Sequence, residues 1–250
     1  MHNRWLGWRA AAPPPAPDGS GAWIELSHAL REDLGRIAFF PRPRFARIMS
    51  QPQDPVNVTE IQMVCHFGTH VDAPCHFISG APAFHEIPLD RLHGPGVVWR
   101  LDCEPYGLIE PAMFEAATPA AQLGDIVLLD TGWADDIGTE RYDQNPSLSV
   151  AAAAWLVERG VKLIGVDFAT PDLAVNRRPA SFDWPVHHVL LSHGVLIAEH
   201  LTNLHALAGR RIEVMFLALN IEGADGAPAR VVARPLSPQR LPQNRIRLNE

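Results

Sequence analysis

The chain has 250 residues, of which 47% are hydrophobic and 20% charged, and its net charge is -7. This size and composition predict a globular protein with one α/β domain or two small ones. The acidic balance argues against nucleic acid as the main partner, because phosphate binding needs clustered Lys and Arg. No apolar run approaches the roughly 20 residues that cross a bilayer, which argues against a membrane protein.

The first residues, MHNRWLGWRAAAPPPAPDG, lack the uninterrupted apolar core of a secretory signal. We expect residues 1–22 to form a flexible Pro-rich arm, followed by a single domain over residues 23–250. The three cysteines, Cys65, Cys75 and Cys103, are odd in number and form no CxxC pair. This favours free thiols in a reducing compartment, and we therefore expect a cytoplasmic protein.

The first half of the chain predicts mainly strands, which are short apolar runs bounded by Gly, Pro or Asp. A helix is expected where Pro follows an acidic residue. In chain order we predict a strand in AWIELSH (22–28), a long loop in FFPRPRFARIMSQPQDP (39–55), a strand pair in VTEIQMVCHFGTHVDA (58–73), strands in GVVWRLD (96–102) and DIVLLDTGW (125–133), and between these two a helix in EPAMFEAA (110–117).

In the second half, Ser149 is a possible N-cap and Gly160 a possible terminator of one clear helix. Helices separate only some of the strands, so the sequence predicts a mixed α/β domain. The predicted elements are the helix SVAAAAWLVERG (149–160), the strand KLIGVDF (162–168), the short helix PVHHVLLSHG (185–194), the strands VLIAEH (195–200) and IEVMFLALNIEG (212–223), and a strand with a Pro-rich end in ARVVARPLSPQRLPQ (229–243).

The stretch HFGTHVDAPCHF (66–77) concentrates three histidines and an aspartate. Side chains of an extended segment alternate with period two, so His66, His70 and Asp72 would point to the same side. On a helix, Asp72 would lie away from the two histidines. Gly68 takes the remaining position on that side and would let an ion and the backbone approach closely. The stretch therefore predicts an extended row of metal ligands.

Pro74 ends this row, because proline cannot continue a central strand, and we expect a turn that brings His76 back to the same place. Imidazole and carboxylate together suit zinc, manganese or ferrous iron rather than calcium. Cys75 is expected to be a packed thiol. A Cys–His nucleophile would need an activated thiolate, which nothing in the sequence indicates. The alternative, a solvated histidine-rich loop, is disfavoured by the placing of Gly68 and Pro74.

A second polar cluster lies in HHVLLSHGVLIAEH (187–200). His187 falls in the first turn of the predicted helix, and Glu199 falls at the end of the strand that follows Gly194. A helix antiparallel to its next strand brings these two ends together, so the two side chains can converge on one ion. A carboxylate directly after the apolar run VLIA also needs a partner if it is buried.

The motif HxGTHxDxPxH is complete in residues 66–76, and it resembles that of the metal-dependent cyclase-like hydrolases. This family includes bacterial kynurenine formamidases and isatin hydrolases. The resemblance implies one domain with a swivelling β/β/α fold, assembled as a homodimer or homotetramer. It extends over residues 23–234 through the blocks IELSH, HEIPLDRL, DIVLLDTGW, LIGVDFATPD, HHVLLSHGVLIAEHLTNL and ADGAPARVVA.

Carried over residue by residue, the resemblance implies that His66, His70 and Asp72 bind one divalent ion, zinc or manganese. Asp72 would also reach a second ion, held by His187 and bridged by Glu199. Some similar proteins use one metal, often manganese, with fewer ligands. We therefore expect one or two ions per chain.

The resemblance further makes His76 the catalytic proton donor and acceptor. It implies a hydrolase, similar to arylformamidases, in which metal-activated water attacks a small amide, formamide, lactam or ester. Two alternatives remain open. A metal-dependent cyclase or dehydratase of a small carbonyl acid would use the same residues without consuming water. A non-catalytic protein that binds a small acid through its metal would not need an intact His76.

The expected substrate pocket departs from the kynurenine formamidase pattern. Kynurenine formamidases carry a short Pro-Trp-Pro-Gly element after the first strand, whereas REDLGRIAFFPRPRFARIMSQP (31–52) is longer and lacks the Trp. Phe39 and Phe40 are the candidates for an aromatic wall. Arg230 is a candidate for holding a substrate carboxylate or for orienting Asp225, and the alternative is a surface Arg at the start of a strand.

Overall fold

A computed structural model describes residues 21–35, 37 and 39–236 of the chain. Strands are the most frequent element in this part of the chain. In order they are β1 (Ile24–Glu25), β2 (Arg44–Met49), β3 (Val58–Gln62), β4 (His70–Asp72), β5 (His93–Arg100), β6 (Leu108–Ile109), β7 (Ile126–Asp130), β8 (Ser147–Leu148), β9 (Leu163–Val166), β10 (Leu196–Glu199), β11 (Arg210–Ala218) and β12 (Gly226–Pro235).

Helices lie between some of the strands, and most of them are single 3-10 turns. Proline occupies the start of two of the three α-helices, where its missing N–H costs no hydrogen bond. The α-helices are α1 (Pro111–Ala116), α2 (Val150–Glu158) and α3 (Pro185–Ser192), and the 3-10 turns cover Pro74–His76, Phe84–Glu86, Leu89–Arg91, Trp133–Asp136, Tyr142–Gln144, Val175–Arg177 and Leu204–Leu207.

Eight strands form one sheet in the order β1-β12-β11-β5-β7-β9-β10-β4. Its centre, β5-β7-β9-β10, is parallel, whereas β11, β12 and β4 run antiparallel to their neighbours. The short strand β4 pairs with β10 on one side and with the first residues of β12 on the other. This double pairing closes the sheet into a barrel-like arrangement, while β2-β3 and β6-β8 form separate small sheets.

The central strand β7 is buried along its whole length, and its two faces belong to different halves of the core. Val127 and Leu129 pack on the side that α1, α2 and α3 cover. Ile126 and Leu128 pack on the other side, against residues of β4, β11 and β12. Burial on both faces explains why this strand is a continuous apolar run instead of an alternating one.

Several predicted elements are present close to their expected bounds. The runs DIVLLDTGW, KLIGVDF and VLIAEH contain β7, β9 and β10, and GVVWRLD overlaps β5, which begins earlier, at His93. Helix α2 begins after Ser149, whose side chain accepts a hydrogen bond from the Ala152 N–H, and Gly160 follows its end at φ +69°. The predicted class, one mixed α/β domain, is confirmed.

The predicted long loop over residues 39–55 is wrong in its middle. Arg44–Met49 forms β2, which pairs antiparallel with β3. Likewise β3 and β4, expected as a strand pair, do not pair with each other, since β4 pairs with β10 and β12. In both cases the partner lies outside the window from which the prediction was made, and hydrogen bonding to that partner decides the conformation.

The extended row predicted over residues 66–72 is also wrong in part. Only His70–Asp72 is a strand, and His66 lies in a turn. Gly68 adopts φ +66°, a left-handed conformation that interrupts the alternation of side chains. A Cβ at Gly68 would come 2.5 Å from Leu30 Cδ2, so this glycine permits the turn and a packing contact and does not line an ion.

The predicted N-terminal arm, residues 1–22, lies outside the described residues except for positions 21 and 22, as does the Pro-rich end beyond residue 236. Within the described part of the chain, no helix has the length and apolar character needed to cross a membrane.

Candidate metal centre

The pairing of β4 with β10 places two candidate ligands side by side. His70 lies directly opposite Glu199 in this antiparallel pair. Directly opposed residues of neighbouring strands project to the same face of the sheet. His70 Nε2 is accordingly 3.4 Å from Glu199 Oε2 and 3.3 Å from Asp72 Oδ1. The other ring nitrogen of His70, Nδ1, donates to the Gly68 carbonyl at 2.8 Å, which fixes the ring.

His66 reaches the same place from the turn before β4. Its Nδ1 is 2.8 Å from Asp72 Oδ1, and its Nε2 is 3.1 Å from Asp225 Oδ2. Room for the ring depends on Gly226, because a Cβ there would lie 2.7 Å from His66 Cε1. The close approach that the sequence analysis assigned to Gly68 is therefore a property of Gly226.

His187 lies in the first turn of α3, as predicted, and faces the end of β10. Its Nε2 is 3.4 Å from Glu199 Oε1 and 3.6 Å from Asp72 Oδ2. Its Nδ1 is 2.6 Å from Asp172 Oδ2, and Asp172 also accepts from the N–H groups of Val186 and His187. The Asp172 carboxylate thus holds both the start of the helix and the ring.

His76 follows Pro74 in a 3-10 turn and returns to the cluster, as predicted. Its ring stacks on that of His66 with 4.0 Å between centroids. Its Nδ1 is 3.4 Å from Asp225 Oδ2. Burial lowers the pKa of His76 below its usual value despite the nearby Asp72 carboxylate.

All six predicted site residues therefore come together, and their ligand atoms form overlapping groups. His66, His70 and Asp72 have ligand atoms within 4.8 Å of one another. The same is true of Asp72, His187 and Glu199, so Asp72 belongs to both groups. A third group consists of His66, His76 and Asp225, and a fourth of His70, Glu199 and His200.

The polar atoms of this cluster fit a bound cation. His70 Nε2 and Glu199 Oε1 are buried, and within the described residues their ionic neighbours lie at 3.3 to 3.4 Å without the geometry of a hydrogen bond. Buried polar atoms are nearly always paired, so orphans of this kind indicate a missing ligand. Imidazole nitrogens with carboxylate oxygens are donors that zinc and manganese accept.

Without a cation, the positive charges of protonated histidines balance the negative charges of the carboxylates. Burial disfavours a charged ring, but hydrogen bonds to Asp225 and Asp72 outweigh it and raise the pKa of His66 to about 9. Asp72 and Glu199 similarly outweigh burial and raise the pKa of His70 to about 10. Burial would raise the pKa of Glu199, yet His187 and His70 lower it to about 2. The metal-free site is thus a cluster of imidazolium and carboxylate groups.

Aromatic side chains surround the candidate ligands. Phe77 lies 4.5 Å from His187 and 5.9 Å from Trp184 between ring centroids. Phe40, one of the two predicted wall residues, stacks on His66 at 6.2 Å. The other, Phe39, packs edge-on against Phe40 and is 63% exposed.

Arg230 does not orient Asp225 in this structure. Its Nε donates to Glu25 Oε2 at 2.7 Å, and its side chain is 76% exposed. It borders a cavity of about 610 Å³ whose lining includes Ser27, His28 and Leu217. Arg230 is therefore a surface residue on a strand, which was the alternative to a role in the site.

Sequence reasoning missed three residues of the site. Asp172 and His200 are buried beside predicted ligands, and Gly226 makes room for His66. His200 could have been predicted as a site residue, because it directly follows the candidate ligand Glu199 in the sequence. Asp172 and Gly226 lie in the blocks LIGVDFATPD and ADGAPARVVA, but no local pattern assigned them a role, because their roles depend on segments that meet only in the folded protein.

Comparisons with known proteins agree with this arrangement. A family model described as "Putative cyclase" matches residues 24–173. A kynurenine formamidase of Bordetella petrii is 36% identical in an alignment of length 193 that covers 74% of this chain and 84% of that protein. A kynurenine formamidase of Bacillus mycoides is 31% identical in an alignment of length 219 that covers 86% of this chain and 98% of that protein.

Solved structures are similar as well. A potential metal-dependent hydrolase with cyclase activity superimposes with a TM-score of 0.72 and 26% identity, covering 87% of this chain and 99% of that one. Isatin hydrolase A from Labrenzia aggregata, bound to benzyl benzoate, gives a TM-score of 0.76 and 25% identity, covering 86% of this chain and 94% of that one.

Proposed function

This chain belongs to the cyclase family, and we propose that it is a metal-dependent hydrolase that cleaves the C–N bond of a small, non-peptide amide. The activities for which its relatives are named, kynurenine formamidase and isatin hydrolase, support this class of reaction. So does the buried cluster of histidines and carboxylates with unpaired ligand atoms.

The residues that would hold the metal are those of the two groups that share Asp72. His66, His70 and Asp72 would hold one ion, and Asp72, His187 and Glu199 a second. Zinc or manganese suits these donors. When bound, such an ion acidifies water and polarises a carbonyl group.

In this proposal His76 moves the proton. Its lowered pKa leaves the ring neutral near pH 7, so it can accept a proton. Asp225 faces Nδ1, which favours a hydrogen on Nδ1 and a free lone pair on Nε2. Nε2 then takes a proton from the attacking water and returns it to the leaving nitrogen. One water is consumed, its oxygen joining the carbonyl carbon and the nitrogen leaving with a hydrogen.

The aromatic surroundings favour an aryl substrate. Phe40, Phe77 and Trp184 form ring contacts with His66 or with each other near the cluster. Flat rings of this kind offer stacking surface to an aromatic amide. We therefore propose a formanilide or an isatin-like lactam as the substrate class, with small esters as weaker substrates.

The single observation that carries the proposal is the pair of buried, unpaired atoms His70 Nε2 and Glu199 Oε1. The test combines metal analysis with a panel of formanilides, isatin-like lactams and lactones. We expect turnover of at least one amide that stops on chelation and returns with zinc or manganese. In oxygen-18 water the acid product gains solvent oxygen, whereas unlabelled product would indicate cyclisation or dehydration. Activity unchanged by exhaustive chelation would refute a metal-dependent reaction.

We also propose a cytoplasmic location, assembly as a homodimer or homotetramer, and a small-molecule substrate. Free thiols at all three cysteines support a reducing compartment. Exposed apolar side chains on β2, β3 and β11 support self-association, because Ile61 and Leu217 border one cavity and monomers rarely expose large apolar patches. Ile48, Ile61 and Leu217 are 57%, 58% and 57% exposed.

A further inference from the structure

His200, which directly follows Glu199, is held in an unusual backbone conformation. Its φ is +56°, a left-handed value that non-glycine residues seldom adopt. Its N–H donates to the Phe168 carbonyl at 3.1 Å, and its carbonyl accepts from Thr69 Oγ1 at 2.5 Å. Strained residues that are fixed in this way cluster at functional sites.

The side chain of His200 is as tightly held as its backbone. The residue is 1% exposed, and its Nδ1 lies 2.7 Å from the Tyr142 hydroxyl oxygen. Tyr142 itself is 3% exposed, and its ring stacks on the His200 ring. A ring nitrogen of His200 also lies within 4.8 Å of ligand atoms of His70 and Glu199.

Two tautomers of His200 give two different roles. If Tyr142 donates to Nδ1, then Nε2 carries the hydrogen and the ring is a hydrogen-bonded core residue. In this arrangement neither ring nitrogen keeps a lone pair that could bind a cation. If Nδ1 instead donates to the Tyr142 oxygen, Nε2 keeps its lone pair. This second arrangement is the usual one for metal-binding histidines, whose other nitrogen donates to a fixed oxygen.

We propose that His200 is an additional nitrogen ligand for the cation held beside His70 and Glu199, with Tyr142 fixing its tautomer and orientation. The inference rests on the proposed function only in requiring that a cation binds. It enlarges the ligand set beyond His66, His70, Asp72, His187 and Glu199. A neutral nitrogen added to this set would favour zinc or cobalt over a harder cation such as magnesium.

The test is a cobalt(II) titration of the metal-free protein, followed by visible absorption, in the wild type and three variants. His200→Asn removes the imidazole with a residue that tolerates a left-handed backbone. Tyr142→Phe keeps the ring of His200 but removes its anchor. His93→Asn, at an exposed histidine at the start of β5, controls for adventitious binding by surface histidines. Circular dichroism checks that each variant is folded.

We expect His200→Asn to bind cobalt at least about 10-fold more weakly and with shifted absorption bands, and Tyr142→Phe to shift the bands in the same direction. His93→Asn should match the wild type. A folded His200→Asn variant with the absorption bands and cobalt affinity of the wild type would overturn the inference. If that variant does not fold, unchanged absorption bands in Tyr142→Phe would overturn it. A wild type that binds no cobalt, zinc or manganese would instead overturn the proposed function.

Discussion

His76 is the most accessible of the six predicted site residues. Its side chain is 24% exposed, whereas those of the five proposed ligands are 8% exposed or less. Access to substrate is a requirement for a proton-transferring group, and enclosure is a requirement for a ligand. The difference in exposure therefore agrees with the separate roles proposed for them.

The first prediction concerns His76→Ala. We expect kcat to fall by about 100-fold to 10,000-fold, because the proton transfer is lost, while the bound metal per chain stays unchanged. Steady-state kinetics and metal analysis of the same sample measure both. His193→Ala, an exposed histidine at the end of α3, is the matched control and should keep full activity. Loss of metal together with activity would show that His76 is itself a ligand.

Among the elements, α2 is the one whose beginning is encoded most locally. Ser149 accepts from the Ala152 N–H at 3.0 Å and donates to Glu110 at 2.7 Å. The cap satisfies a backbone N–H that has no partner within the helix. The cap hydrogen bond that begins α2 is made within the helix and its preceding residue. The contact with Glu110 additionally links the start of α2 to the residue before α1.

Ser149→Ala should therefore destabilise the protein without affecting the metal centre. The expected loss in the free energy of unfolding is about 1 kcal/mol, measured by urea denaturation. Ser192→Ala, an exposed serine at the end of α3, should change it by no more than about 0.5 kcal/mol. Equal losses in the two variants would mean that the cap hydrogen bond contributes nothing measurable.

This contrast between local and distant signals separates what the sequence predicts from what it does not. Helix α2 and the buried strand β7 are readable because their signals lie within their own residues. Strand β4 cannot be read from its own residues, because these three residues form a strand only by pairing with β10 and β12. The candidate ligands could be chosen from residue type and motif, but the route by which His66 arrives depends on the conformation of Gly68. Asp172 and Gly226 act on residues that are distant in the sequence, so no pattern among their sequence neighbours indicates their roles.

For the molecule as a whole, stability and metal binding are coupled through the same titrating groups. In the metal-free protein the pKa values of His66 and His70 are raised to about 9 and about 10 by the neighbouring carboxylates, against the effect of burial. A metal ion requires these rings without their protons. Binding at neutral pH must therefore release protons.

We predict opposite pH dependences for the two forms. A histidine with a raised pKa stabilises the folded chain fully below its unfolded pKa of about 6.5, and this contribution disappears as the pH rises through the folded pKa, about 9 for His66 and about 10 for His70. The chelated protein should accordingly lose stability between about pH 6.5 and about pH 10. Metal affinity should rise over the same range, because fewer protons compete. Thermal unfolding with chelator and with excess zinc measures both trends, and parallel trends in the two forms would contradict the coupling.

The double pairing of β4 has a consequence for how this protein can be dissected. The same three residues join the two edges of the sheet and carry two of the proposed ligands. A substitution at His70 or Asp72 alters the strand that closes the barrel and removes a ligand together, so an inactive variant there does not separate the two effects. His66, His76, His187 and His200 lie outside that strand. At these positions the chemistry of the site can be changed without touching the strand that closes the barrel.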